Sequence, residues 1–154
     1  MKTHTESLLR SHPRGDKTRT KDYSDALTAL AACAEACSVC ADACLAENSH
    51  VEMLRRCITT DLDCADVCTT TSRLLLRQTD APNDLVHAQL HACVVACQLC
   101  FEECARHATA HAHCKFCAEA CRHCQERCNF LLGEISSSGT AEETDPAESS
   151  VLSV

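Results

Sequence analysis

Sixteen cysteines are the residues of this chain whose type and spacing could do chemistry. They recur in four rows at alternating intervals of three and four residues, the period that keeps side chains on one face of a helix. Thiolates are soft ligands, so a helix face lined with them would hold soft metal ions. The rows are Cys33, Cys37, Cys40 and Cys44; Cys57, Cys64 and Cys68; Cys93, Cys97, Cys100 and Cys104; and Cys114, Cys117, Cys121, Cys124 and Cys128.

The spacing favours Cu(I) over other metals. Two thiols at i and i+4 lie one turn apart on the same side of a helix and can hold one ion in near-linear two-coordination, which Cu(I) accepts. Zn(II) prefers four ligands in a tetrahedron, whereas the sequence supplies rows of pairs instead of isolated groups of four. A disulfide between such neighbours would strain the helix. The pattern therefore predicts many Cu(I) ions, about one for each cysteine.

The second row is interrupted by Asp61, which stands where the register calls for a thiol. A carboxylate there could bind a metal ion, accept a proton or pair with a histidine. Because a lone buried carboxylate is costly, we expect Asp61 near the open end of the thiol row, beside a histidine or water. The alternative is a locally rotated helix that exposes Asp61.

Three histidines continue the cysteine rows. Adding three and then four residues to Cys104 leads to His107 and His111, and His113 directly precedes the fourth row. Histidine binds copper more exchangeably than a thiolate row does, so we predict that these side chains capture or relay metal. The alternative is three solvated surface histidines near a turn.

The elements that must position these residues are predicted to be helices. The chain has only 3 glycines, 3 prolines and 3% aromatic residues, a composition typical of an all-α domain. Ser49 and Glu52 have the spacing of a capping box, and Gly133 is a suitable C-terminal cap. The predicted helices cover residues 24–48, 49–79, 82–108 and 111–133.

Short connections between these helices predict an up-down-up-down antiparallel four-helix bundle with a cysteine-lined core. The bundle would span residues 23–133, after a polar, basic N-terminal segment (1–22) with a short helical turn and before a disordered acidic tail (134–154). One end of the bundle is then apolar. The other, which we call the mouth, carries Glu47, His50, Met53 and the three histidines.

Charge and composition argue against several classes of function. The formal net charge is −8, and the region between the two terminal segments is acidic, which argues against nucleic acid. No segment approaches the length of a membrane span, and the N-terminus lacks the apolar run of a secretory signal. We therefore expect a cytosolic protein without a membrane partner, in a compartment that keeps thiols reduced.

The four rows of the type C-x-x-x-C-x-x-C-x-x-x-C resemble the bacterial copper storage proteins over residues 24–133. The histidine-rich turn 106–113 resembles the cytosolic branch of that family. The resemblance implies storage of many Cu(I) ions by the cysteines, a homotetramer, and His107, His111, His113 and Asp61 as mouth residues. The second predicted helix (49–79) departs from the family pattern because it has fewer cysteines than the other three.

Two other function classes remain open at the level of sequence. A zinc or iron–sulfur protein with a structural or regulatory site is the first, although no cysteine is followed by proline as in many iron–sulfur motifs. A helical interaction module with structural thiols is the second. An enzyme is not expected, because no catalytic triad, phosphate-binding loop or carboxylate pair is present. Delivery by a copper metallochaperone fits the storage hypothesis.

Overall fold

A computed structural model describes residues 2–139 of the chain. It contains five helices and, within these residues, no strand: α1 (His4–Ser11), α2 (Thr20–Ala46), α3 (Val51–Leu75), α4 (Asn83–His107) and α5 (Ala112–Gly139). Helices α2 to α5 form an antiparallel four-helix bundle in which α2 packs on α3 and α5, and α4 packs on the same two helices. The predicted all-α bundle is confirmed.

Two helices begin at residues other than the predicted ones. Helix α2 begins at Thr20, four residues before the predicted start at residue 24. Helix α3 begins at Val51 with His50 at the cap position and no side-chain cap, so the predicted capping box is wrong. Ser49 lies one residue before the cap position, so its spacing to Glu52 does not match a capping box, and its hydroxyl contacts Nδ1 of His50 at 3.2 Å.

The last helix is longer than predicted. Helix α5 continues through Gly133 to Gly139, so the prediction that it ends at Gly133 is wrong. Ile135 is only 8% exposed and packs into the core, which holds the extra turn in helical conformation. The predicted disordered tail is thus helical up to residue 139, and the rest of it (140–154) lies outside the described residues.

The end of the bundle opposite the mouth is closed by apolar side chains and by the N-terminal segment. Leu30 and Leu90 are fully buried there, and Leu9 of α1 packs against the same core cluster. The segment is held by a hydrogen bond between the hydroxyls of Thr3 and Ser24 (2.8 Å) and by other polar contacts. The bundle axis is therefore closed by hydrocarbon at this end and bordered by polar groups at the mouth.

Within residues 2–139, two helices are long and apolar enough to cross a membrane, contrary to the expectation that no segment would be. They are α2 and α4, with mean hydropathies of 1.6 and 1.3. Cysteine and alanine, which count as apolar, raise these values, and both helices turn their cysteine faces into the bundle core. Core helices of bundles commonly reach such values, so this is weak evidence for a membrane span.

We predict that Leu30→Ala lowers the free energy of unfolding of the metal-free protein by about 3 kcal/mol, because a buried leucine is replaced by a cavity. Urea unfolding of the reduced protein under anaerobic conditions would measure the change. The matched control is Leu85→Ala, since Leu85 is 50% exposed and its loss should cost less than about 1 kcal/mol. Equal effects of the two substitutions would contradict the assignment of Leu30 to the core.

Candidate metal centre

All sixteen cysteines line the axis of the bundle as free thiols. Each is at most 1% exposed, because the alternating spacing turns every row inward on its helix. A row whose ends are eleven positions apart, such as Cys33 to Cys44, extends roughly 17 Å along the axis. The thiols thus form one column, which we call the sulfur column, and not scattered packing residues.

Neighbouring sulfurs in the column lie at van der Waals distances, both along and between helices. Cys33 and Cys37 on α2 are 4.0 Å apart at Sγ, and Cys37 lies 3.6 Å from Cys121 on α5. The shortest contact, between Cys57 and Cys104, is 3.4 Å. A metal ion placed anywhere along the column would therefore have thiols from more than one helix in reach.

Groups of four ligand atoms within 4.8 Å of one another occur repeatedly along the column. They include Cys33, Cys37, Cys64 and Cys121; Cys37, Cys100, Cys117 and Cys121; and Cys40, Cys44, Cys57 and Cys114. The groups share members, since Cys37 and Cys121 each belong to two of them. Shared thiols suit ions that are bridged by common sulfurs better than they suit independent tetrahedral sites.

Burial raises the pKa of two thiols near the mouth. It raises the pKa of Cys44 to about 12 and also raises the pKa of Cys114 above its usual value. Removing these thiols from water penalises the thiolate. Metal binding to Cys44 and Cys114 would therefore release protons.

Asp61 is fully buried inside the sulfur column with thiols as its partners, so of the predicted histidine or water neighbour the histidine is not found, and the alternative of an exposed side chain is wrong. Its Oδ1 accepts hydrogen bonds from Cys100, Cys104 and Cys117 at 3.0, 3.2 and 3.3 Å. Cys57 donates to Oδ2 at 3.8 Å. Asp61 occupies a thiol position of the register and points inward, so thiols are the polar groups available to it.

The same burial changes the protonation of Asp61. Loss of water is the main cause and raises the pKa of its carboxyl to about 8. The group is thus largely a neutral acid at pH 7 in the metal-free protein. A neutral carboxyl can remain in this low-dielectric core without a cation.

The mouth brings two of the predicted histidines to the top of the column. His113 places Nδ1 3.5 Å from Sγ of both Cys40 and Cys114, and 3.9 Å from Sγ of Cys44. The His111 ring lies beside it, with the two ring centroids 5.3 Å apart. An imidazole nitrogen and three thiols thus converge where the column opens.

His107 lies in the mouth but is not in contact with the sulfurs in the described structure. It lines a cavity of about 460 Å³ with His50, Met53 and His111. Its Nε2 is 3.2 Å from Oε1 of Glu103. The predicted grouping of His50 and Met53 with these histidines is therefore observed, with His113 innermost.

Two carboxylates at the mouth were not among the predicted ligands. Glu47 contacts both His111 and His113, and these hydrogen bonds, first from His113 and then from His111, lower its pKa. Glu103 is buried between Arg56, Arg106 and His107. The spacing of both glutamates along the sequence could have predicted their place at the mouth. Glu47 continues the α2 row three residues after Cys44, and Glu103 precedes His107 by four residues on one helix.

The arrangement matches a known family. A family model described as copper storage protein (Csp) matches residues 19–133, most of the chain. The chain belongs to the copper storage protein family. The predicted resemblance is thereby confirmed, and the bundle and its sulfur column are the parts of the chain that the match covers.

Solved structures of relatives from Streptomyces lividans have the same fold. The copper storage protein Ccsp, loaded with 10 copper equivalents, is 44% identical with a TM-score of 0.80, covering 84% of this chain and 98% of that one. A cytosolic copper storage protein with five coppers is 47% identical with a TM-score of 0.72, covering 73% and 93%.

A curated relative is similar in sequence. The uncharacterized cysteine-rich protein YhjQ of Bacillus subtilis (strain 168) is 37% identical over 112 residues, which is 72% of this chain and 97% of that protein.

We predict that Asp61→Asn changes how the stability of the metal-free protein depends on pH. The pKa of Asp61 is raised on folding, so its favourable contribution is complete below about pH 4 and is lost as pH rises towards 8. The loss is at most about 1.4 kcal/mol per pH unit. Asparagine cannot ionise, so the variant should gain stability relative to the parent between pH 5 and pH 7.5, measured by anaerobic urea unfolding. Parallel pH profiles would rule out a raised Asp61 pKa.

Proposed function

We propose that this protein stores Cu(I) in the cytosol by binding many ions to the cysteine thiolates of its sulfur column. The observation that carries the proposal is the continuous column of sixteen buried, reduced thiols. The Streptomyces lividans relatives, which hold up to 10 copper equivalents and are described as cytosolic in one case, support it. The role is storage and detoxification, and no step of it requires catalysis.

The donor set favours Cu(I) over the zinc and iron–sulfur alternatives. The column offers soft sulfur donors at short, nearly uniform spacing, and its four-ligand groups overlap by sharing thiols. Independent Zn(II) sites would need four ligands each that are not shared, whereas Cu(I) ions can be bridged by shared thiolates. All sixteen cysteines, Asp61 and the three mouth histidines are proposed as ligands.

Copper is proposed to arrive at the histidine mouth, handed over by a metallochaperone. His107 and His111 line the outer cavity, and His113 contacts both this region and the uppermost thiols. Movement down the column then displaces thiol protons, because burial raises the pKa of two thiols near the mouth. The opposite end, which Leu30, Leu90 and the N-terminal segment close, leaves the mouth as the proposed route of entry.

A homotetramer is proposed for the assembled protein, as the family resemblance implies. Large apolar side chains on two faces of the bundle support an assembly. Val39 and Phe116 on the α2–α5 face are 66% and 65% exposed, and Val95 and Leu99 on the α3–α4 face are 45% and 47% exposed. Burying such side chains between copies would remove apolar surface from water.

An anaerobic titration of the reduced protein with Cu(I) against a competing chelator tests the storage function. We expect tight uptake approaching sixteen ions per chain, one for each cysteine, with helicity retained in circular dichroism. Metal analysis after gel filtration gives the stoichiometry. Uptake of only one to four ions, or a preference for Zn(II), would replace storage with a structural or regulatory metal site, and visible absorption would reveal an iron–sulfur cluster.

We predict that His113→Ala slows Cu(I) uptake several-fold while the final stoichiometry stays within about one ion of the parent. The nitrogen that contacts the uppermost thiols is removed, but the thiols themselves remain. Stopped-flow absorbance in the ultraviolet, where Cu(I)–thiolate bonds absorb, would follow the rate. His123→Ala is the matched control, since His123 is exposed on the same helix. Equal rates for both variants would remove His113 from the uptake route.

A further inference from the structure

One carboxylate oxygen at the mouth joins two of the histidines. Oε1 of Glu47 lies 3.0 Å from Nδ1 of His111 and 3.2 Å from Nε2 of His113. An ionised carboxylate can only accept hydrogen bonds, so both ring nitrogens that face it must carry a proton. The hydrogen bonds to Glu47 therefore determine which nitrogen of each ring carries no proton.

The two histidines are left in opposite tautomers. A neutral imidazole has one N–H, so His113 with its proton on Nε2 presents a lone pair on Nδ1. That nitrogen lies 3.5 Å from the sulfurs of Cys40 and Cys114. In the other tautomer, an N–H would face these thiols and no lone pair would be available for a metal ion at the top of the column.

The same oxygen leaves Nε2 of His111 without a proton. His111 also lines the outer cavity, together with His50 and His107. Glu47 is the C-cap residue that follows α2, while His111 and His113 flank the start of α5 at residue 112. The carboxylate thus also fixes the two helix ends that surround the opening.

We propose that Glu47 is a positioning residue for copper uptake, which holds His113 as the Nε2–H tautomer and aims Nδ1 at the uppermost thiols. It acts through the histidines and is not itself assigned as a copper ligand. A carboxylate that accepts the second N–H of a metal-binding histidine orients the ring and makes it a better donor. The proposal rests on the proposed storage function for its effect on uptake, but not for its effect on the tautomer.

The second carboxylate at the mouth plays a different part. Glu103 accepts from His107 but also pairs with Arg56 of α3 and Arg106 of α4, each at 3.3 Å. Its replacement would leave two arginines without their partner and disturb the contact between helices. Glu52, which is exposed and paired with Arg55 in the first turn of α3, offers a cleaner control for the loss of one negative charge at the mouth.

The experiment compares Glu47→Ala, Glu47→Gln and Glu52→Ala with the parent protein. Long-range ¹⁵N–¹H spectra of the metal-free protein report the tautomer of each histidine without copper. We expect a single Nε2–H form of His113 in the parent and in Glu52→Ala, and a mixture of both forms in Glu47→Ala. Glu47→Gln, whose side-chain oxygen still accepts a hydrogen bond, should retain most of the Nε2–H form.

Copper uptake provides the second readout. Glu47→Ala should load Cu(I) on the order of tenfold more slowly than the parent, with Glu47→Gln closer to the parent and with final stoichiometry unchanged. An unchanged His113 tautomer in Glu47→Ala, or a loading rate equal to that of Glu52→Ala, would overturn the proposal. A low copper stoichiometry in the parent would instead refute storage and leave the tautomer result to stand by itself. Circular dichroism checks that the variants fold, and loss of the Nε2–H form of His113 in Glu47→Gln would contradict the proposal even if Glu47→Ala does not fold.

Discussion

Close packing of thiols along one axis is the constraint on which the rest of the structure depends. A thiol is small and weakly polar, so sixteen of them can be buried at van der Waals distances without the cost that carboxylates or imidazoles would impose. The same groups become strong soft ligands once they lose a proton. The core that holds the bundle together is therefore also the ligand set, and the fold needs no separate binding pocket.

The two ends of the sulfur column differ in the chemistry of their side chains. At one end leucines and the N-terminal segment seal the axis with hydrocarbon. At the other end, His113 contacts the uppermost sulfurs, and Glu47 links His111 and His113 through one oxygen. Polar groups can remain there because they are close enough to water to be hydrated or paired.

Asp61 is the point where packing and electrostatics conflict within the column. The register turns it inward among four thiols, and burial raises its pKa to about 8. As a neutral acid it fits the uncharged core of the metal-free protein. As a carboxylate it would accompany bound cations, so the protonation of Asp61 is coupled to the filling of the column around it.

Sequence periodicity alone determined the helical fold, the inward thiol rows and the choice of Cu(I). A row spaced by three and four residues has one possible face on a helix, whatever the helix packs against. The positions of His107 and His111 on the α4 row followed from the same counting. That counting, applied to the α2 row, would also have reached Glu47.

Tertiary structure decided the contacts between helices and the places where helices end. The depth of Asp61, the convergence of His113 with Cys40 and Cys114, and the sharing of Glu47 by two histidines depend on how four helices rotate and align against one another. The extension of α5 past Gly133 depends on the packing of Ile135 against other helices. Spacing along one helix carries no information about such alignment, because it is set by the fit of side chains across the core.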